Sequence, residues 1–155
     1  MSYLDVKKYL EEKNMGDRIV IHDTPSDTVE HAAENIGCMP AQIEKTMSFI
    51  VNDNPIVIAM AGDVKVSNSK YKAYFHQKAK MVPWDEVENI IGHIPGGVCP
   101  FAVNQNVKVY LDNSLKRFEY VYAAAGKPDA TIGVSIEELE NLSNYVEWID
   151  VTEER

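Results

Sequence analysis

The sequence predicts an α+β fold: a single domain, residues 1–155, with a mixed, mostly antiparallel sheet and helices around it. Three observations carry this. Lys45 to Val51 alternates between two faces, Asn52-Asp53-Asn54-Pro55 turns the chain, and Ile56 to Ala61 returns as an apolar run, which together spell a β-hairpin. Helix starts and stops are scattered between short strand-like runs, among them Ser135 with Glu138 three residues on and Gly37 after an apolar-periodic segment. Regular strand–helix alternation is absent, so the pattern is not that of a doubly wound sheet. Gly96-Gly97 is not a G-x-G-x-x-G fingerprint, and no Walker lysine pattern occurs.

The elements follow in order. Ser2 with Asp5 resembles a capping box that opens helix 3–13, with Tyr3, Val6, Tyr9 and Leu10 as its apolar face. Arg18 to His22 reads as a short strand, and Asp23 to Asp27 as a turn. A second helix starts at Thr28 and stops at Gly37, and Pro40 to Ile43 adds a helical turn. After the hairpin, Ser67 or Asn68 starts a helix that carries Tyr71, Tyr74 and Phe75. Lys80-Met81-Val82 is a brief strand, and Trp84 to Ile91 a helix ended by Gly92. Strands at 107–111 and 118–124 are joined through Asp112-Asn113-Ser114, and Thr131 to Val134 forms another. Helix 136–142 and a closing strand, Tyr145 to Val151, complete the chain. The Tyr and Trp side chains are expected in the core.

Composition narrows the function classes. The chain has 155 residues, 45% apolar and 25% charged, which suits a globular core. No apolar run has membrane-spanning length, and the N-terminus has no signal-peptide core, so the cytoplasm is the expected compartment. Cys38 and Cys99 are the only cysteines, and a reducing compartment disfavours a disulfide between them. The net charge of −9 argues against a chain that grips nucleic acid by bulk charge, since phosphate neutralisation supplies much of that affinity. One local exception stands out: Lys65, Lys70, Lys72, Lys78 and Lys80 share a stretch without an acid. It reads as a solvated helix face or as a contact for a polyanion.

The residues with chemical potential are few. Gly92-His93-Ile94-Pro95-Gly96-Gly97-Val98-Cys99-Pro100 makes a stiff loop. It is a structural turn, or it bares the N–H groups of Gly96, Gly97 and Val98 to a phosphate or a polarised carbonyl. Lys45 opens the alternating strand and either snorkels or aims into a cleft, where its ammonium would hold a phosphate or carboxylate. Cys99 and His93 share a loop, which raises a cysteine-nucleophile reading against that of a small buried thiol. His22, His31 and His76 have no metal-ligand spacing. Asp112 suits a turn cap, and Glu137, Glu138 and Glu140 a solvated helix face.

Four stretches in order resemble the YbaK/ProX group, the prolyl-tRNA editing domain family of aminoacyl-tRNA deacylases. They are Ala32 to Gly37 leading through Gln42-Ile43-Glu44 to Lys45-Thr46; the Gly92–Pro100 loop, similar to G-x-x-x-G-G-V/I-x-P; Val109 to Leu115; and Tyr122 to Lys127 with the helix that begins near Ser135. The likeness runs from about residue 18 to 142. It implies hydrolysis of the ester of a mischarged tRNA, commonly tRNA for proline carrying Cys, Ala or another small amino acid. Lys45 matches the family's functional lysine, and Gly96 the first glycine of the pair that positions the aminoacyl carbonyl. Gly97 and Val98 would add backbone contacts, with Thr46, His22 and Thr131 lining the pocket.

The resemblance implies no metal and no organic cofactor. Its implied partner is the aminoacyl-tRNA acceptor end; the charge pattern, an acid-free lysine stretch in a chain of net charge −9, makes Lys70, Lys72 and Lys78 the expected tRNA contact. An aminoacyl-tRNA synthetase is a further partner on which an acidic, free-standing deacylase could work; neither membrane nor DNA is expected. The chain departs from the family at Thr131, where members often carry His or Asp, and at Ala124, where some carry Ser. Two other readings remain: a non-catalytic module that binds an aminoacyl or nucleotide end, and a Cys99-dependent thioesterase.

Overall fold

The computed structural model describes residues 2–155. Its spine is the hairpin. Strands β2 (Glu44–Val51) and β3 (Asn54–Ala61) pair antiparallel from Glu44 opposite Ala61 to Val51 opposite Asn54. Asn52 and Asp53 both take left-handed φ, 51° and 65°, the geometry that matches the twist of a two-residue hairpin. Gln77 clamps that turn: its Oε1 accepts from the Asn52 N–H at 3.1 Å, and its amide donates to Asn52 Oδ1 at 2.8 Å. A strand covered on both faces needs no alternation, and Ile56 to Ala61 is buried throughout.

On its other side β3 pairs parallel with β5 (Lys108–Asp112), which pairs parallel with β8 (Trp148–Ile149). The first sheet therefore runs β2-β3-β5-β8. A second sheet is antiparallel and is formed, in spatial order, by β1 (Ile19–Ile21), β7 (Ala130–Ser135) and β6 (Tyr120–Ala124). A small antiparallel ribbon joins β4 (Val64–Val66) to β9 (Thr152–Glu154). The two larger sheets touch at a parallel bridge between Ile43 and Tyr122.

The helices follow their local signals. α1 spans Ser2–Glu12 and buries Val6 and Leu10. α2 (Val29–Ile36) is capped by the Thr28 hydroxyl, which accepts from the His31 N–H, and stops at Gly37 with φ 85°. α3 (Asn68–Phe75) is capped by Ser67. Its Tyr71 and Phe75 pack on Phe49 and Tyr110, with ring centroids 5.3 Å apart in both cross-element pairs. A 3-10 turn at Trp84–Glu86 runs into α4 (Val87–Ile91), which Gly92 ends at φ 104°. α5 (Ile136–Ser143) starts at the Ser135–Glu138 capping box. The Arg18 guanidinium locks that box to β7, bonding Glu138 at 2.6 and 3.1 Å and the Gly133 carbonyl at 2.7 Å.

Several expectations are corrected. Ser2 lies inside α1, and its hydroxyl donates to the Gly126 carbonyl at 2.5 Å instead of capping the helix. The strands expected at 107–111 and 118–124 both form, in different sheets: β5 inserts beside β3 while β6 pairs with β7. Lys80–Val82 contributes a single bridge, Phe49 to Met81, flanked by the Ile50 N–H on the Lys80 carbonyl and the Val82 N–H on the Ser48 carbonyl. Of the closing strand expected over Tyr145–Val151 only Trp148–Ile149 forms, and β9 follows as a separate strand after the chain passes the Asp112 carboxylate. That carboxylate caps its own turn at Ser114 and also accepts from the Val151 N–H and the Thr152 hydroxyl. Trp84 is not core: it is 76% exposed. Among the described residues, no helix is long and apolar enough to cross a membrane.

Candidate active site

A cleft of about 520 Å³ lies where β2 and β6 part beyond the Ile43–Tyr122 bridge. One wall is β2 from Glu44 to Ser48; the opposite wall is Tyr122 to Ala124 with Ala130 and Thr131. The start of α2 closes one end, and Pro95, Gly96 and Val98 border another. Met81 and Trp84 form an apolar rim, 55% and 76% exposed. The volume is that of a small-molecule site.

Lys45, Thr46, Gly96, Val98 and Thr131 all line this cleft, although 86 residues separate Lys45 from Thr131. Lys45 is half-buried, and its ammonium donates to the Val64 carbonyl. Burial lowers its pKa, helped by the Arg155 charge and opposed by Asp63 and Glu30. Thr46 donates its hydroxyl to Glu44 Oε2 at 2.5 Å. Thr131 lies 2.8 Å from His22 Nε2, so the imidazole reaches the site through that hydroxyl.

The Gly92–Pro100 loop serves the cleft unequally. Gly96 has φ 87° and faces Pro128, a backbone state that favours glycine. Gly97, expected to bare its N–H, donates it to the Ile94 carbonyl at 2.9 Å and closes a tight turn. The glycine is needed there for a different reason: a Cβ would meet the Gly126 carbonyl carbon at 2.5 Å. Gly97 is therefore a packing residue in this structure.

The cysteine reading is corrected. Cys99 and His93 do meet, Sγ to Nε2 at 3.6 Å, but both are fully buried. Burial pushes the thiol up to about 12, and the same cause lowers His93. His93 Nε2 sits 2.6 Å from the Phe101 carbonyl, which takes the ring N–H. A neutral, enclosed thiol is a poor nucleophile.

The basic stretch is partly neutralised by acids distant in sequence. Lys70 bonds Asp150 at 3.1 Å and the Thr152 carbonyl at 2.8 Å, and Lys65 lies 3.6 Å from Glu153. Lys70 is thereby committed to the C-terminal segment, whereas Lys72 and Lys78 are exposed and share a second concavity with Asn68 and Ser69.

Three cleft residues carry no functional signal in the sequence. Trp84 and Met81 show nothing there beyond apolarity in a short helix-like run. Glu44 looks like an ordinary polar residue ahead of the strand, yet it is 3% exposed. Burial raises its pKa to about 8, against the lowering effect of the Thr46 hydrogen bond.

The model of the aminoacyl-tRNA editing domain family matches residues 23–142. The chain belongs to that family. Relatives agree with the assignment. The uncharacterised protein YwhH of Bacillus subtilis is 40% identical over 152 residues, covering 97% of each chain. Proline–tRNA ligase of Aquifex aeolicus is 26% identical over 137 residues, 87% of this chain but 24% of the ligase. A crystal structure described as a candidate trans-editing enzyme for prolyl tRNA synthetase superposes with a TM-score of 0.87 at 25% identity, covering 98% of this chain and 97% of that one. The editing-domain family thus accounts for the α+β architecture, and the YbaK/ProX resemblance read from the motifs agrees with it.

Proposed function

We propose that this editing domain is a trans-editing hydrolase that deacylates mischarged aminoacyl-tRNA, with tRNA for proline carrying a small amino acid as its substrate class. The observation that carries the reading is the convergence of Lys45, Thr46, Gly96 and Thr131 on one cleft of ligand size. The family membership and the ligase relative support the choice of substrate class.

The chemistry asks little of the protein. An aminoacyl ester is already activated, so holding it beside a water and stabilising the oxyanion suffices. Water adds to the ester carbonyl, the bond to the ribose oxygen breaks, and that oxygen leaves as a hydroxyl. Lys45 holds the terminal phosphate or the reacting group once its ammonium swings off the Val64 carbonyl. The Gly96 N–H faces the carbonyl oxygen. Trp84 and Met81 give the terminal base an apolar face at the rim. The enclosed Cys99 thiol supports no covalent route.

The test is deacylation of a panel: Cys-, Ala-, Ser-, Thr- and Pro-tRNA for proline with a few cognate pairs, wild type beside Lys45→Ala. Selective release of one non-proline amino acid, lost in Lys45→Ala, is the expected result. Absence of release from every member by folded protein would replace the hydrolase with a binding module that holds the same aminoacyl end.

A further inference from the structure

Glu44 is a buried polar side chain of the cleft that the proposed hydrolysis leaves unused. Thr46 occupies its Oε2. Its Oε1 is buried with no hydrogen-bond partner, although the residue belongs to the cleft wall. Enclosing such an oxygen unpaired is destabilising, because its lost hydration is not replaced. A ligand that supplies a donor removes that cost.

Charge narrows the ligand. Only Asp27 and Glu44 are acidic among the lining residues. Asp27 is 85% exposed and pairs with His31, so Glu44 is the enclosed acid of the site. The adjacent Lys45 does not neutralise it. Its ammonium is turned away to the Val64 carbonyl. At this point of the wall, one enclosed carboxyl fits a small cationic donor better than a second anion. An aminoacyl ester carries such a group, the α-ammonium, on the carbon next to its reacting carbonyl.

We propose that Glu44 anchors the α-ammonium of the aminoacyl end, accepting its N–H at Oε1 while Thr46 fixes Oε2; the assignment rests on the deacylase reading. Entry of the ligand converts the neutral carboxyl to carboxylate, and its proton passes to solvent. The anchor grips the group that all amino acids share, so it sets the place of the ester carbonyl. Side-chain selection is left to the apolar walls around Val98 and Ala123.

The test uses binding, not turnover. Adenosine bearing alanine through a 3′-amide is titrated by calorimetry beside the same molecule with an α-hydroxyl in place of the amine. Wild type should prefer the amine roughly tenfold or more. It should also release a proton at pH 7, read from buffers of different ionisation enthalpy. Glu44→Gln should lose both the preference and the release. Equal binding of the two analogues by wild type, binding of neither, or an unchanged preference in a folded Glu44→Gln overturns the anchor. If Glu44→Gln does not fold, the wild-type preference and proton release decide alone. Deacylation of the tRNA panel with no amine preference sinks the anchor only; amine preference without deacylation sinks the hydrolase only.

Discussion

Gly97 packs so closely on Gly126 that a Cβ on Gly97 would stand 2.5 Å from the Gly126 carbonyl carbon and 2.7 Å from the Lys127 nitrogen. Both obstacles are backbone, so the clash cannot be relieved by a rotamer. Gly126 is held in turn, since its carbonyl accepts from Ser2 and a Cβ on it would meet the Tyr3 Cα at 2.7 Å. The loop bordering the cleft is thus seated on α1 through two glycines. Gly97→Ala should lower stability by about 1–3 kcal/mol, the usual cost of overpacking. Deacylation should fall with it, because Gly96 shifts. Gly37→Asn is the control: its φ of 85° suits Asn and nothing lies within 4 Å. Thermal unfolding of the two variants that showed equal loss would contradict the packing role.

Cys99→Ala removes a thiol that the structure encloses beside His93. The expected result is full turnover on any aminoacyl-tRNA the wild type cleaves, with a stability loss of about 1 kcal/mol from the small cavity. Steady-state kinetics on a folded variant check it. A large fall in kcat would restore the thioesterase reading.

Lys70 bonds Asp150 and the Thr152 carbonyl, whereas Lys72 and Lys78 have no ion-pair partner among the described residues. Replacing both by Ala should weaken tRNA binding and reduce the salt slope of log K by about 0.7–0.9 for each phosphate that is no longer neutralised. Lys70→Ala should act mainly on stability, because it releases Asp150 and the Thr152 carbonyl. Binding isotherms at several salt concentrations separate the two, and an unchanged slope in the double variant removes the tRNA from this face.

Trp84→Ala should raise KM for aminoacyl-tRNA with little change in kcat. Stacking on an aromatic face contributes about 1–3 kcal/mol per base, and the indole is 76% exposed at the rim. Equal KM values would show that the terminal base docks elsewhere.

What can be read in the sequence is local. The hairpin is written in the Asn52-Asp53 turn and the apolar run after it; α2 and α5 are written in Thr28, Gly37, Ser135 and Glu138. Lys45, Gly96 and Thr131 are legible through the motif order, and the cleft brings all three together. The rest depends on pairing across long separations. Nothing near residue 108 announces that β5 will lie parallel beside β3. Nothing near Lys70 announces Asp150, and the Gly97 N–H looks free until the Ile94 carbonyl is seen to accept it. Glu44 illustrates the limit best. Its identity suggests an exposed acid, and only the packing around the start of β2 makes it a buried one.

That burial has a signature in stability. The Glu44 carboxyl ionises near 4.5 in an unfolded chain and is held up at about 8 in the folded one by desolvation. Between those values the folded state keeps a proton that the unfolded state gives up. Stability linked to this group is therefore complete below about pH 4.5 and declines as pH rises through about 8. Glu44→Gln cannot ionise and retains an oxygen that can accept from the Thr46 hydroxyl. The stability difference between Glu44→Gln and wild type should thus grow in the variant's favour across that interval, by a few kcal/mol in total. It should level off at higher pH. Denaturant unfolding of both proteins in steps from pH 5 to 9 measures the difference directly. Parallel curves would mean that the carboxyl titrates near its ordinary value, with water reaching Oε1.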